Sequence, residues 1–176
     1  MKVLVSVASR HGSTAEIADR IGEVLTAAGI DADVRAPDQI QSVAHYDAVI
    51  LGSGVYAGRW LGPAKQLAER ETADLRSRPV WLFSSGPVGD PAKPAAEPVD
   101  VDLVRKWTDA VEHRIFPGKL DRQELGFGER AIVLAVHAAE GDFRPWEDVT
   151  AWAEGIAGTL QASPVEAAPV EAAPVG

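Results

Sequence analysis

Within six consecutive residues, Ser9-Arg10-His11-Gly12-Ser13-Thr14, the chain places three hydroxyls, a guanidinium, an imidazole and a glycine. An apolar run, Lys2–Ala8, precedes them, and an amphipathic stretch, Ala15-Glu16-Ile17-Ala18-Asp19-Arg20-Ile21, follows. At a strand-to-helix turn this set suits an anion. The N–H groups of a helix's first turn have no intrahelical partner, and the helix dipole favours negative charge beside them. Ser9, Ser13 and Thr14 add hydroxyl donors, and Gly12 admits close approach or positive φ. The glycine spacing is not that of a dinucleotide fingerprint, and no Gly-Lys-Ser/Thr of a triphosphate loop is present. A phosphomonoester held mostly by neutral donors fits what remains. The competing reading is an ordinary helix start, since Ser13 and Glu16 have the spacing of a capping box.

Two more segments carry candidate ligand contacts. Gly52-Ser53-Gly54-Val55-Tyr56-Ala57-Gly58-Arg59-Trp60 sets two aromatics on glycine-flanked backbone, where a planar ring could be stacked. Tyr56 is the better placed, being further from the helix that follows; Trp60 reads equally well as packing at that helix's start. Ser84, Ser85, Gly86 and Pro87 open a proline- and alanine-rich loop to Pro98, with backbone and hydroxyl groups suited to a ring edge. No nucleophile or acid–base pair stands out, so a bound cofactor should carry any reaction.

The elements that must position these loops alternate. Continuously apolar strands are expected at 2–8, 31–35, 47–51, 79–83 and 113–116, and helices at 14–28, 61–71, 100–110 and 145–160. Ile17, Ile21, Val24, Leu25 and Ala28 form one face of the first helix. Trp146, Val149, Ala153, Ile156 and Leu160 form a stripe on the last. Buried strands each followed by a helix predict an α/β three-layer sandwich around a five-stranded parallel sheet, in the doubly wound order 2-1-3-4-5. Its ligand crevice lies at the carboxyl ends of the first and third strands, where two of the loops emerge.

Composition narrows the class. The chain has 176 residues, 46% of them hydrophobic and 24% charged, with no cysteine and a formal charge of −9. That excludes disulfides and thiolate chemistry, and argues against a nucleic-acid surface. The four histidines have no metal-ligand spacing. No secretory or membrane-spanning pattern is visible, so a cytoplasmic protein with at most peripheral membrane contact is expected. Residues 1–162 read as one domain. Residues 163–176 contain Val-Glu-Ala-Ala-Pro twice and read as a disordered tail.

A phosphate pocket beside an aromatic-lined slot is what flavin mononucleotide (FMN) requires. Ser9–Thr14 with Glu16-Ile17-Ala18 resembles the phosphate loop of the flavodoxin family, on the branch that includes the flavodoxin-type protoporphyrinogen oxidases. Gly52–Gly58 resembles that branch's second flavin loop, Phe116-Pro117-Gly118-Lys119-Leu120-Asp121 the segment after its fifth strand, and Asp142-Phe143-Arg144-Pro145-Trp146 its entry to the last helix. The resemblance covers about residues 1–160. It implies bound FMN and electron transfer through it, with porphyrinogen, a quinone or a redox partner protein as the other reactants. One segment departs from a membrane-docking role: residues 119–145 carry four basic and five acidic side chains, a net −1, where anionic lipid favours positive charge.

Other classes remain to be weighed. A receiver domain needs an acidic pair after the first strand and an aspartate after the third, where this chain has Ser9-Arg10 and Gly52-Ser53. That reading fails. A flavodoxin-type carrier without a substrate of its own, a cofactor-free interaction module and a deazaflavin-binding homologue all keep the same fold.

Overall fold

A computed structural model describes residues 1–86, 97–121, 126 and 140–162. In chain order the elements are β1 (Lys2–Ala8), α1 (Ser13–Ala27), β2 (Asp31–Arg35), a 3-10 turn (Pro37–Gln39), β3 (Ala48–Tyr56), β4 (Arg59–Trp60), α2 (Gly62–Arg70), α3 (Thr72–Leu75), β5 (Val80–Ser85), α4 (Val101–Thr108), β6 (Glu112–Phe116), β7 (Lys119–Leu120), β8 (Gly141–Asp142) and α5 (Trp146–Ala162). The main sheet runs β2-β1-β3-β5-β6, all parallel. This is the doubly wound order 2-1-3-4-5 once β4, a two-residue antiparallel arm on β3, is left out of the count.

Strand alternation divides the interior into two halves. Val3, Val5, Val7, Ile50 and Phe83 face α1 and α5, where Ile17, Ile21, Leu25, Val149, Ile156 and Leu160 meet them. Leu4, Val49, Leu51 and Leu82 face the other way, onto Leu67, Ala68, Leu75 and Val104 of the remaining helices. Each fully buried Leu, Ile, Val or Phe contributes about 2 kcal/mol of hydrophobic stabilisation. The central strands β1, β3 and β5 are thereby rigid, and their carboxyl ends have fixed positions.

Several expectations are corrected by this geometry. β3 extends to Tyr56 and β5 to Ser85, so Gly52–Tyr56, Ser84 and Ser85 are strand rather than loop. The cause is packing: a Cβ on Gly52 would lie 2.2 Å from ring carbons of the buried Phe83. Glycine there makes room for an aromatic, not for a ligand. Ala28 is exposed beyond the end of α1 instead of joining its buried face. Lys119–Leu120 and Gly141–Asp142 pair as a small antiparallel ribbon. The apolar run 131–136, Pro87 and the tail 163–176 lie outside the described residues.

Ser6 is a polar residue in the middle of β1 with no exposed surface, and its hydroxyl has no hydrogen-bond partner. An unpaired buried hydroxyl costs more than a methyl in its place. Ser6→Ala is therefore expected to raise unfolding stability by about 1 kcal/mol. A denaturant titration checks this, and unchanged or lower stability would mean the hydroxyl is satisfied in solution.

Candidate functional site

The three segments singled out by sequence meet at the carboxyl ends of β1, β3 and β5. Ala8 pairs with Ser53, and Gly54 pairs with Ser85. A Cβ on Gly54 would lie 3.1 Å from the Thr14 hydroxyl and 3.0 Å from the Tyr56 ring, so the hairpin backbone presses against the start of α1. Tyr56 leans over the 9–12 loop: the Arg10 guanidinium carbon is 4.8 Å from its ring centroid, and the His11 ring is 6.1 Å away.

The start of α1 is not closed by a side chain. Gly12 is the capping residue, in the left-handed conformation at φ 81°, and no side-chain cap is formed. The expected capping box is absent because the helix begins one residue early, with Ser13 already inside it, and Glu16 pairs instead with Arg144 at 2.7 Å. Nothing lies within 4 Å of where a Gly12 side chain would begin. Ser9 Oγ is buried without a hydrogen-bond partner. A bare helix N-terminus, an unpaired hydroxyl and an open glycine, flanked by Arg10 and His11, have the donors and the space for a phosphate. These residues fit the terminal phosphate of a nucleotide-type cofactor.

Other sequence candidates are structural. Trp60 is only 2% exposed and packs in the core with Leu67 and Ala64, so its ring offers no face to a ligand. Its indole N–H donates to Ser84 Oγ at 2.7 Å, and its backbone N–H to Asp100 Oδ1 at 3.1 Å. Ser53 accepts from the Leu61 N–H at 2.9 Å and donates to the Gly54 carbonyl. Ser84 has no exposed surface. The candidates that remain at the carboxyl ends of the strands are Ser9–Thr14, Gly54–Tyr56 and the Ser85–Gly86 backbone, where Gly86 has φ 120° and donates its N–H to the Phe116 carbonyl.

Three residues with no role in the sequence reading organise this site. Arg144, its side chain 4% exposed, donates to the Ser13 carbonyl at 3.0 Å, to Glu16 at 2.7 Å and to Asp142 at 2.6 and 2.8 Å. It fastens the β7–β8 ribbon to the candidate phosphate loop, and its guanidinium holds the Asp142 carboxyl below its ordinary value. Asp100 accepts from Trp60 and from Lys65 Nζ at 2.7 Å, pinning the end of the hairpin against α2 and α4. His113 lies between Ser84 and Glu97, an acid–base contact that no sequence motif announces. Burial pushes its imidazole below the ordinary histidine value, against the pull of Glu97.

No helix among the described residues is long and apolar enough to cross a membrane. A groove of about 550 Å³ opens on the β2 side of the loop, lined by Ser9, Arg10, Asp19, Ala36, Asp38 and Gln39 among others.

Comparison with known proteins agrees with this geometry. The flavodoxin domain matches residues 4–144. Protoporphyrinogen IX dehydrogenase [quinone] of Escherichia coli K12 is 29% identical over 86 residues, 48% of each chain. The chain thus spans about half the length of the curated relatives it matches. A flavodoxin from the domain Archaea superposes with a TM-score of 0.63 at 16% identity, covering 92% of this chain and 99% of that one. Oxidised flavodoxin 1 from Bacillus cereus gives 0.59 at 16% identity, covering 93% and 100%. Rubredoxin oxygen:oxidoreductase from Desulfovibrio gigas also gives 0.59, at 14% identity, with 92% of this chain matched to 36% of that one. The chain belongs to the flavodoxin domain family, which implies flavin binding and flavin-type redox chemistry.

Proposed function

We propose that this chain is an FMN-dependent oxidoreductase that passes electrons from a porphyrinogen-class substrate through the flavin to a quinone or another acceptor. The observation that carries the FMN reading is the uncapped N-terminus of α1 beside the unpaired Ser9 hydroxyl, within reach of the Tyr56 hairpin. When bound, the flavin supplies the electron-accepting centre. Ser9, Arg10, His11, Gly12, Ser13 and Thr14 would hold its phosphate, Gly54, Val55 and Tyr56 would line one face of its ring, and Ser85–Gly86 would meet its pyrimidine edge. The porphyrinogen and quinone assignments draw support from the curated relatives named above. The absorption spectrum of the purified protein, followed by an assay with protoporphyrinogen and a quinone, tests both levels. A flavin spectrum without turnover would leave a flavodoxin-type carrier served by a redox partner protein. A colourless protein that takes up no added flavin would indicate an interaction module.

Tyr56 is the residue on which the ring reading turns. Tyr56→Ala is expected to weaken FMN binding by about fivefold, or to shift the flavin reduction potential, because an aromatic contact contributes about 1 kcal/mol beyond its buried area. Titration and potentiometry of the variant check this. If neither quantity moves, Tyr56 only braces Arg10 and His11.

A second reading has one observation in its favour. The groove beyond Ser9 and Arg10 runs past Ala36–Gln39 and would accommodate the phosphodiester-linked tail of a deazaflavin. Competition between FMN and a tailed deazaflavin decides between them.

A further inference from the structure

A chain of hydrogen bonds, buried at Trp60 and Ser84 and reaching the surface at Glu97 and Arg105, stands behind the candidate ring edge. The Trp60 indole N–H donates to Ser84 Oγ at 2.7 Å, Ser84 Oγ is 2.8 Å from His113 Nε2, and His113 Nδ1 is 3.2 Å from Glu97 Oε1. Arg105 donates to both Glu97 oxygens, at 2.7 and 3.1 Å. Proton positions follow from what each group can do. The Glu97 carboxylate, already paired with Arg105, only accepts, so His113 Nδ1 carries the proton shared with it. In the neutral imidazole Nε2 is then the bare nitrogen and accepts from Ser84 Oγ, which itself accepts from the Trp60 indole N–H. With the imidazole neutral, the Trp60 N–H, the Ser84 hydroxyl and the His113 N–H each have an acceptor.

The order serine, histidine, carboxylate is that of an activated nucleophile, but Ser84 has no exposed surface and is bonded to the edge of the buried Trp60 indole. No substrate can reach it, so hydrolysis is not its chemistry. Its place in the strand gives another role. Ser84 immediately precedes Ser85, the sheet partner of Gly54, and Gly86, which lies against Val55. The chain of bonds therefore fixes the end of β5 to β4, to β6 and to the segment entering α4.

We propose that His113 is a positioning residue for the flavin edge: its Nδ1-protonated neutral imidazole holds Ser84 and the Ser85–Gly86 backbone in the binding arrangement, and a second proton on Nε2 releases them. This rests on the FMN reading. The added proton comes from solvent, and no other bond is made or broken covalently. It turns Nε2 from acceptor to donor, so that Ser84 Oγ faces two N–H groups and its own hydrogen loses its acceptor.

The charged groups around the ring set the direction. Glu97, from the segment before α4, favours the imidazolium, while burial and Arg105 from α4 oppose it, with burial the larger effect. Behind Trp60 lies the closed pair Asp100–Lys65, and on β6 itself Glu112 and Arg114 pair with each other at 2.9 Å. The folded ring thus takes its proton at lower pH than an unfolded one. Stability linked to His113 is undiminished above the ordinary histidine range and falls as pH drops through that range toward the lowered folded value.

The test is FMN titration of the full chain by flavin fluorescence at about pH 8 and about pH 4.5, the lower value lying well below the ordinary histidine range because the folded ring takes its proton beneath that range. His113→Gln keeps an acceptor near the Nε2 position and does not titrate. The second proton of the FMN phosphate also titrates near pH ~6, but it is common to both proteins and cancels in their affinity ratio. Riboflavin, which has no phosphate, serves as the second probe. Between the two pH values the wild-type protein is expected to lose about tenfold more affinity than His113→Gln, the worth of one buried hydrogen bond. Equal profiles in the two proteins, with flavin bound at high pH, would overturn this inference and leave the FMN reading standing. Failure of the wild-type protein to bind flavin at high pH would overturn the FMN reading and this inference with it. If His113→Gln does not fold, the imidazole nitrogen resonances of the wild-type protein decide. An Nδ1–H neutral tautomer that titrates together with flavin affinity supports the role, and an Nε2–H tautomer overturns it.

Discussion

FMN is expected to bind this chain more tightly than riboflavin by about 2–4 kcal/mol, or roughly 30- to 1000-fold, the worth of two or three charge-assisted hydrogen bonds. The two ligands share the ring and the ribityl chain, so the comparison isolates the phosphate. Its donors are the free N–H groups of the first turn of α1, the Ser9 hydroxyl that has no partner within the protein, and the loop of Ser13 and Thr14. Gly12, in the left-handed conformation with open space beside it, lets the phosphate approach the backbone. Arg10 adds positive charge at the rim, which makes the preference weaken as salt is raised. It should also weaken as pH falls through the second phosphate ionisation near ~6, because the monoanion gains less from the helix terminus. Parallel titrations of the two ligands measure the difference. Equal affinities would remove the phosphate from this loop.

The parts of this arrangement that could be read from sequence are those with local causes. β1 and α1 are legible because an apolar run gives way to a helical period across a single turn, and the bounds of β2 are set by a proline two residues on. β3 is less legible. Gly52-Ser53-Gly54 reads as a turn, and only the Phe83 ring, 31 positions along the chain at the closest sheet partner of Gly52, explains a glycine inside the strand. The same limit hides which candidate side chains are buried against the protein itself. Ser53, Trp60 and Ser84 have the side chains of ligand contacts, yet their partners are Leu61, Asp100 and His113, from 8 to 40 residues away. A hydroxyl or an indole looks the same in sequence whether it faces a ligand or a distant backbone. Arg144 stands in the sequence only as a charge and as part of the Asp142–Trp146 segment, and its contact with Ser13 is hidden because the two are 131 residues apart.

Arg144→Met is expected to lower unfolding stability by about 2 kcal/mol and to weaken FMN binding by about tenfold. Methionine keeps much of the aliphatic volume, so the change removes the guanidinium rather than the packing. Breaking a fully buried ion pair costs more than this. Here Glu16 and Asp142 are about half exposed and can recover water, which reduces the loss. What water cannot replace is the bond to the Ser13 carbonyl, the point at which the C-terminal ribbon grips the candidate phosphate loop. Arg144→Lys should recover only part of both effects, because an ammonium cannot reach Ser13, Glu16 and Asp142 with the geometry of a planar fork. The pH dependence has a definite sign. Arg144 lowers the folded Asp142 value, so its stabilisation is fully present above the ordinary aspartate range and is lost as pH falls through the lowered one. The wild-type and Arg144→Met stabilities should therefore converge in acid. Denaturant titrations at neutral pH and at about pH 3, below the ordinary carboxylate range, measure that convergence. If the variant matches the wild-type protein at neutral pH and binds FMN as well, the ribbon and the loop are not coupled. The loop's shape would then rest on Gly12 and the Tyr56 hairpin alone.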